Sequence, residues 1–179
     1  MIEVPQPDRL LYIGYMPPTD NFNFNPIDNH RFFVWQQYED FLATEPDENG
    51  LDWWTSEITG HGHGCNAGMN DNNTCTHGWR VLDSRAFWVA LHPDWFTGSW
   101  GLASYTGTDT ANARFVKECY LRYLHRTVNS SDSDVHGWVT DLTNNYGGDP
   151  ANPDGVLHMI DAFLSSNVVD GYRLRFGGS

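Results

Sequence analysis

The chain of 179 residues has a formal net charge of −13, with 23 acidic and 10 basic residues, and aromatic residues make up 15% of it. This length and apolar content suit one domain with a substantial core. The negative charge disfavours nucleic acids and anionic membrane surfaces as partners, whereas it is compatible with cations and neutral glycans. No run of 18 apolar residues occurs, so the sequence predicts no membrane span.

The first thirty residues contain five of the nine prolines, which exclude a long helix. We therefore predict an extended arm over residues 1–30 that has no core of its own. Its apolar side chains need a groove, either on the same body or on a neighbouring copy. The arm residues assigned to this partner surface are Leu11, Tyr12, Ile13, Tyr15, Phe22 and Phe24.

Amphipathic helices are predicted from residue 31 onward. Asp28 or Asn29 is placed to cap the first, and Pro46 ends it just before Asp47, which is placed to cap the second. A loop over 60–78 and a helix over about 80–91 follow. The apolar stripes of the first two helices are Val34, Tyr38, Phe41 and Leu42, then Leu51, Trp54 and Ile58.

The second half of the chain repeats this plan, followed by one more helix over about 157–164. The matching stripes are Val116, Tyr120, Tyr123 and Leu124, which lie 82 residues on, then Val135, Trp138 and Leu142, which lie 84 residues on. The sequence thus predicts an all-α protein in which two related helical repeats, residues 31–110 and 111–179, pack on one core behind the arm.

The repeated positions resemble the bacterial family called domain of unknown function 4214, whose members often contain tandem copies of such a unit. The second copy departs from the family pattern over 128–134, "VNSSDSD", where Pro-Asp and a glycine are missing. The resemblance implies a helical domain of secreted and surface proteins, often beside calcium-binding repeats or adhesin-like regions. It implies no catalytic residue. The family-like positions are Phe33, Val34, Tyr38, Phe41, Leu42, Pro46, Asp47, Gly50 and Trp54, then Phe115, Val116, Cys119, Tyr120, Tyr123, Leu124 and Trp138.

The segment "HGHGCNAGMNDNNTCTHG" contains two cysteines ten residues apart. We predict a disulfide between Cys65 and Cys75, which would hold this glycine- and asparagine-rich loop and which needs an oxidising compartment, and a free Cys119. A zinc site is the weaker alternative, because the spacing contains no C-x-x-C pair. Its further ligands would be His61, His63 and His77.

Two acidic loops invite a calcium interpretation, although neither fits the EF-hand spacing. Helix caps and turns explain several of these side chains without a metal. No cofactor is therefore favoured, and calcium stays open. The candidate ligands are Asp132, Asp134, Asp149, Asn152 and Asp154.

Catalysis has little support in the sequence. The motifs of nucleophilic hydrolases, zinc proteases and nucleotide-binding loops are absent, and carboxylates such as Asp40 and Glu57 are predicted on solvated helix faces. We predict no enzyme and no catalytic residue, with a secreted hydrolase as the remote alternative. Two glycosylation sequons occur, at Asn72 and Asn129.

The tryptophans divide into two predicted groups. Trp54 and Trp138 fall on core stripes, whereas Trp35, Trp95 and Trp100 are assigned to a surface for a sugar or a neighbouring subunit. The expected function is a secreted or cell-surface structural module, non-enzymatic, that associates with copies of itself into a multimer or filament. The alternative is a carbohydrate-binding, adhesin-like module, with or without calcium. The N-terminus lacks signal-peptide features, so either that export route is not used or a signal has been removed.

Overall fold

A computed structural model of the chain describes residues 26–59, 74–92, 107–149, 152–165 and 172–176. These residues form helices, and no strand occurs among them, so the all-α prediction is confirmed. In this part of the chain, every helix is too short or too polar to cross a membrane.

The first half contributes three helices. A 3-10 turn, Pro26–Asp28, precedes α1 (His30–Gln37), which continues directly into a π-helical turn (Tyr38–Leu42). α2 spans Glu48–Thr59, and α3 spans Thr74–Leu91. The helix predicted from about residue 80 therefore begins six residues earlier, and residues 60–73 of the predicted loop lie outside the described residues.

The second half contributes four helices. They are α4 (Ala111–Leu124), α5 (Ser133–Asn145), α6 (Pro153–Leu164) and the short α7 (Tyr172–Arg175). The pattern predicted the first three, whereas α7 spans only four residues and is too short to show a helical period.

Side-chain caps fix where several helices begin. The Asn29 carboxamide oxygen accepts the Phe32 N–H at 3.0 Å, and Asp47 Oδ1 accepts the Gly50 N–H at 2.7 Å. Each cap gives an acceptor to a backbone donor that has no partner within its own helix. The capping roles predicted for Asn29 and Asp47 are confirmed. Thr110 and Asn152 act in the same way at α4 and α6.

The two halves end their first helices in the same way. Ala43 ends the π turn with φ 51°, and His125 ends α4 with φ 49°, so both adopt the left-handed conformation without being glycine. Their backbone N–H groups bond to the carbonyls of Glu39 and Leu121. Ala43 and His125 lie 82 residues apart, the offset that relates the apolar stripes.

One hydrophobic core contains residues of both halves. α3 packs against α2 and α6, and α4 packs against α5, α6 and the π turn, so the halves meet through α3, α4 and α6. Several pairs of positions predicted as equivalent are buried in both halves, whereas Tyr38, Leu42 and Leu124 are not. The pairs buried in both halves include Phe33 and Phe115, Val34 and Val116, Leu51 and Val135, and Ile58 and Leu142.

The π turn contradicts part of the prediction for the first apolar stripe. A π-helical turn holds more residues than an α-helical one, so side chains beyond it point in new directions. Leu42 was predicted in the core and is 36% exposed, whereas Asp40 was predicted in solvent and is buried.

Other expectations need correction as well. Trp54 and Trp138 are only half-buried and pack at the edge of the core. Ile27 is buried in the core, so the predicted arm includes residues that belong to the body. Residues 1–25 lie outside the described residues.

Candidate functional site

The most concentrated set of polar contacts in the described structure surrounds Asp40. The π turn carries its carboxylate into the interior, where the side chain has no exposed surface. Arg175 of α7 binds it with both guanidinium nitrogens, at 2.8 Å to Oδ2 and 2.9 Å to Oδ1. A bidentate pair of this kind offsets much of the free energy that burying the two charges costs.

Three further side chains bind the same carboxylate. The Tyr172 hydroxyl donates to Oδ2 at 2.7 Å, the Gln36 amide donates to Oδ1 at 2.9 Å, and His125 Nε2 lies 2.9 Å from Oδ1. Arg122 donates to the backbone carbonyl of Asp40 at 3.1 Å. The contacts come from α1, α4 and α7, so one carboxylate joins three helices.

A chain of hydrogen bonds extends from this carboxylate through the core. The five donor–acceptor distances, starting from Trp88 at the far end, are 2.9, 2.6, 2.7, 3.1 and 2.7 Å. Each group donates to the next group toward the carboxylate. Aligned hydrogen bonds polarise and strengthen one another in a low-dielectric interior. In order, its members are Trp88, Tyr123, Ser84, Gln37, Tyr172 and Asp40.

Burial keeps the phenols of this chain protonated. Desolvation raises the pKa of Tyr123 well above its ordinary value, and it does the same for Tyr172, where the negative charge of Asp40 adds to the effect. Both tyrosines can therefore donate their hydroxyl protons at any ordinary pH. The arrangement holds helices in place, and His125, with a side chain 47% exposed, carries it to the solvent.

A second buried carboxyl, that of Asp83, lies on α3. Its Oδ2 has no hydrogen-bond partner among the described residues. Burial, together with the negative charge of Glu57, raises the pKa of Asp83 to about 8. The group is therefore mostly uncharged at neutral pH, as an isolated buried acid must be.

A buried histidine lies at the start of α1. Arg80 donates to His30 Nδ1 through Nε at 3.3 Å and to the Asp28 carbonyl at 2.7 Å. Burial, and then the positive charge of Arg80, lower the pKa of His30 to about 4. His30 is therefore neutral at physiological pH and accepts a hydrogen bond from the guanidinium.

A surface pocket of about 220 Å³ lies beside α4 and the segment that follows it. Its apolar part is Leu121, which is 41% exposed, and the buried Val128. Arg114 and Lys117 contribute positive charge, and Lys117 pairs with Asp109 at 2.8 Å. Asp109 and Glu118 also line it, so the pocket combines an apolar patch with two cationic and two acidic side chains.

The predicted disulfide and zinc residues lie mostly outside the described residues. Cys65, His61 and His63 fall in the segment 60–73, and Cys75 lies on the first turn of α3 rather than in a loop. The side chain of His77 points to α6, where Nε2 lies 2.6 Å from Asp161 Oδ1. Cys119 is free and buried, as predicted.

The candidate calcium ligands serve as caps and turn residues in the structure. Asp149 accepts the N–H groups of Ala111 and Asn112 at the start of α4, at 3.2 and 2.7 Å. Asn152 caps α6, and Asp132 accepts the Asn129 N–H at 2.9 Å.

The remaining two acids of this set lie at helix starts. Asp134 lies in the first turn of α5, 3.9 Å from Arg126, and Asp154 lies in the first turn of α6. Within the described ranges, no three acidic, histidine or cysteine side chains come together as a metal site would need.

Only some of the residues predicted to carry glycans or to contact partners lie among the described residues. Asn129 is exposed, whereas Asn72 lies outside the described residues, as do Trp95, Trp100 and the six arm residues. Trp35 is buried and contacts Phe32, so its assignment to a partner surface is wrong. Among the described tryptophans, Trp53 is instead the exposed one, with 53% of its surface accessible.

Sequence reasoning missed the Asp40 centre. Its acid and its arginine lie 135 residues apart, and no spacing rule connects them. The one usable signal was the polar pair Gln36 and Gln37 inside an apolar helix, because buried amides need partners.

No protein-family model matches the chain, and neither a curated protein nor a solved structure matches it.

Proposed function

We propose that the chain is a non-enzymatic structural module of a secreted or cell-surface protein and that it associates with copies of itself. The observation that supports this proposal most is that the polar side chains around Asp40 bind one another. They converge on one another in the interior and hold helices together, and the carboxylate itself has no exposed surface for a substrate to reach. A catalytic group must contact a substrate, and these groups contact each other.

We also propose that the body consists of two tandem copies of the unit known as domain of unknown function 4214. The matched burial of Phe33 with Phe115 and of Ile58 with Leu142 supports a duplication. The left-handed ends at Ala43 and His125 support it further, because such a conformation is uncommon in residues other than glycine.

Self-association is supported by the surface and by the N-terminal segment. Trp53, Leu82, Val89 and Leu121 are large apolar residues with exposed side chains, which a neighbouring copy would bury. The apolar side chains over 10–24 would add an arm that binds a neighbouring copy. Head-to-tail contacts of this kind generate rings or open filaments.

Electron microscopy of the purified full chain, with its mass by light scattering, tests this proposal. Rings, filaments or defined multimers are the expected result, and no hydrolytic activity should accompany them. A chain that stays monomeric at high concentration would refute the assembly.

A carbohydrate-binding module is the second candidate. Trp53 and Trp54 meet edge to face with ring centroids 4.5 Å apart, and exposed tryptophans of this kind can stack on sugar rings. A glycan array with the full chain, repeated with Trp53→Ala, separates the two functions. Glycan binding that disappears in the variant, from a chain that stays monomeric, would favour the second candidate.

A further inference from the structure

The outer side of α3 is apolar although it is open to solvent. The inner side of this helix lies in the core, and Leu82 and Val89 on the outer side are 43% and 37% exposed. A helix that is apolar on every side is normally covered on every side. The residues of 82–90 that are not buried form what we call the α3 face, and only one of them is charged. They are Leu82, Arg85, Ala86, Val89 and Ala90.

The other large exposed apolar residues of the described surface stand alone. Leu121 on α4 has Lys117 and Glu118 four and three residues before it, and Trp53 on α2 has Glu57 four residues after it. These spacings place charged side chains beside each of them. Single apolar residues are normal on a protein surface, whereas neighbouring ones mark a surface that binds something. The α3 face is therefore the docking surface to explain.

The N-terminal segment of the chain joins the body against α3. Ile27 is buried in the core, and Arg80 of α3 donates to the backbone carbonyl of Asp28 at 2.7 Å. Arg80 also donates to His30 at the start of α1. Residues 1–25 therefore start from a point fixed on the same helix that carries the α3 face.

The segment is long enough and apolar enough to cover this face. Leu82 follows Arg80 by two residues, which turn through about 200°, so it lies on the far side of α3, about 17 Å around the helix. Tyr15 precedes Ile27 by 12 residues, and an extended chain of that length reaches about 40 Å. Residues 10–16, "LLYIGYM", contain six apolar or aromatic residues out of seven.

We propose that the α3 face is the docking surface for residues 10–16 of the N-terminal segment. In an isolated molecule the segment binds the α3 face of its own body. In the assembly proposed above it binds the same face of a neighbouring copy, which is an exchange of one element between identical chains. The docking surface stands without the proposed function, and only the exchange rests on it.

Trypsin measures docking in the full chain, because Arg9 is the only lysine or arginine in residues 1–25. A docked segment is cut only while it is released. Cleavage after Arg9 should be at least about tenfold slower in the full chain than in a synthetic peptide of residues 1–25. Equal rates in the chain and the peptide overturn the proposal.

Charged substitutions on the α3 face should abolish this protection. Leu82→Glu and Val89→Glu should each be cut after Arg9 at nearly the rate of the peptide, whereas Leu82→Met should stay protected. Leu121→Glu is the matched control, since Leu121 is 41% exposed and lies on α4, and it should be cut as slowly as the wild type. Circular dichroism confirms that each variant is folded. Protection that survives both α3 variants, or is lost equally in the control, overturns the proposal.

A photo-crosslinking residue, benzoylphenylalanine, placed at Leu82 of the full chain identifies the occupant. Peptide mass spectrometry should find it linked to residues 1–25. A link to residues 60–73 or 93–106 instead would mean that one of these connections covers the face, and it overturns the proposal, as does the absence of any link.

A mixture of ¹⁵N-labelled and unlabelled chains separates the docking from the proposed function. Links between labelled and unlabelled peptides support both the docking surface and the exchange. Links within single molecules alone support the docking surface and remove the segment from the proposed assembly. A chain that associates without any protection of Arg9 overturns the docking surface and leaves self-association standing.

Discussion

Asp40 and Arg175 form a bidentate ion pair in the interior, although 135 residues separate them in the chain. Arg175 belongs to the last helix of the described structure, and Asp40 belongs to the first helical unit. The pair therefore joins the two ends of the helical body, and α7 packs against α4 and α6 beside it. Its removal should affect the whole fold rather than one helix.

Asp40→Asn should destabilise the protein by about 3–5 kcal/mol, because Arg175 is left buried without its counter-charge. Urea unfolding followed by circular dichroism measures the change. Glu118→Gln is the control, since Glu118 pairs with Arg122 at 3.2 Å in a partly exposed position, and its loss should cost less than about 1 kcal/mol.

The double variant with Arg175→Met adds a check on the pairing itself. Two partners of one ion pair should show a clearly non-additive cost, with the double variant less destabilised than the sum of the single variants. Additive costs would mean that the two side chains act separately.

The stability of the protein should depend on Asp83 in a defined pH range. Its pKa is about 8 in the folded state against an ordinary value of 3.8, so folding favours the uncharged acid. The stability that this group contributes is fully present below about pH 3.8 and is lost as the pH rises through 8. Asp83→Asn should therefore be more stable than the wild type at pH 8, by a few kcal/mol at most, and equal to it near pH 4.

Thermal unfolding of both proteins across this pH range measures the difference. The stability that the neutral His30 contributes to the fold is lost as the pH falls from 6.5 to about 4. Both proteins contain His30, so this effect cancels in the comparison. A difference between the proteins that stays constant with pH would contradict the assignment of Asp83.

Cys119 should be unreactive in the folded protein. Its thiol has no exposed surface, and burial raises its pKa well above the ordinary value, so the reactive thiolate does not form. Iodoacetamide followed by peptide mass spectrometry should modify Cys119 only after denaturant is added. The same digest without reductant tests the predicted link between Cys65 and Cys75, and a peptide that joins Cys119 to either cysteine would contradict both statements.

The sequence predicted the helices that carry an apolar stripe. α1, α2, α4, α5 and α6 each have apolar residues at a helical period, and short polar residues at Asn29 and Asp47 marked two of the starts. Those signals are local, and they are physically sufficient because a helix satisfies its backbone within itself. The start of α3 at Thr74 was missed since the glycines and asparagines before it resemble a loop.

The candidate site depends on contacts that no local signal contains. The π turn changes which side chains point inward. Asp40 is therefore buried and Leu42 exposed, the reverse of what a regular helix predicts. The tryptophans show the same limit: Trp35 and Trp53 have the same hydrophobicity, and only the packing of neighbouring helices decides that the first is buried and the second exposed.

Deletion of residues 1–25 should leave the helical body folded, because the buried positions of the described core begin at Ile27. The predicted role of this segment as an arm requires that the deletion lowers the mass of the assembly. Light scattering measures the mass, and circular dichroism monitors the helices. An unchanged mass would show that the segment packs on its own molecule or has no part in assembly.

Sedimentation velocity of the intact chain over a wide range of concentration tests the central claim most directly. The account predicts that the sedimentation coefficient rises with concentration. A single monomeric boundary at every concentration and salt level would contradict the proposal that this chain is a self-associating structural module.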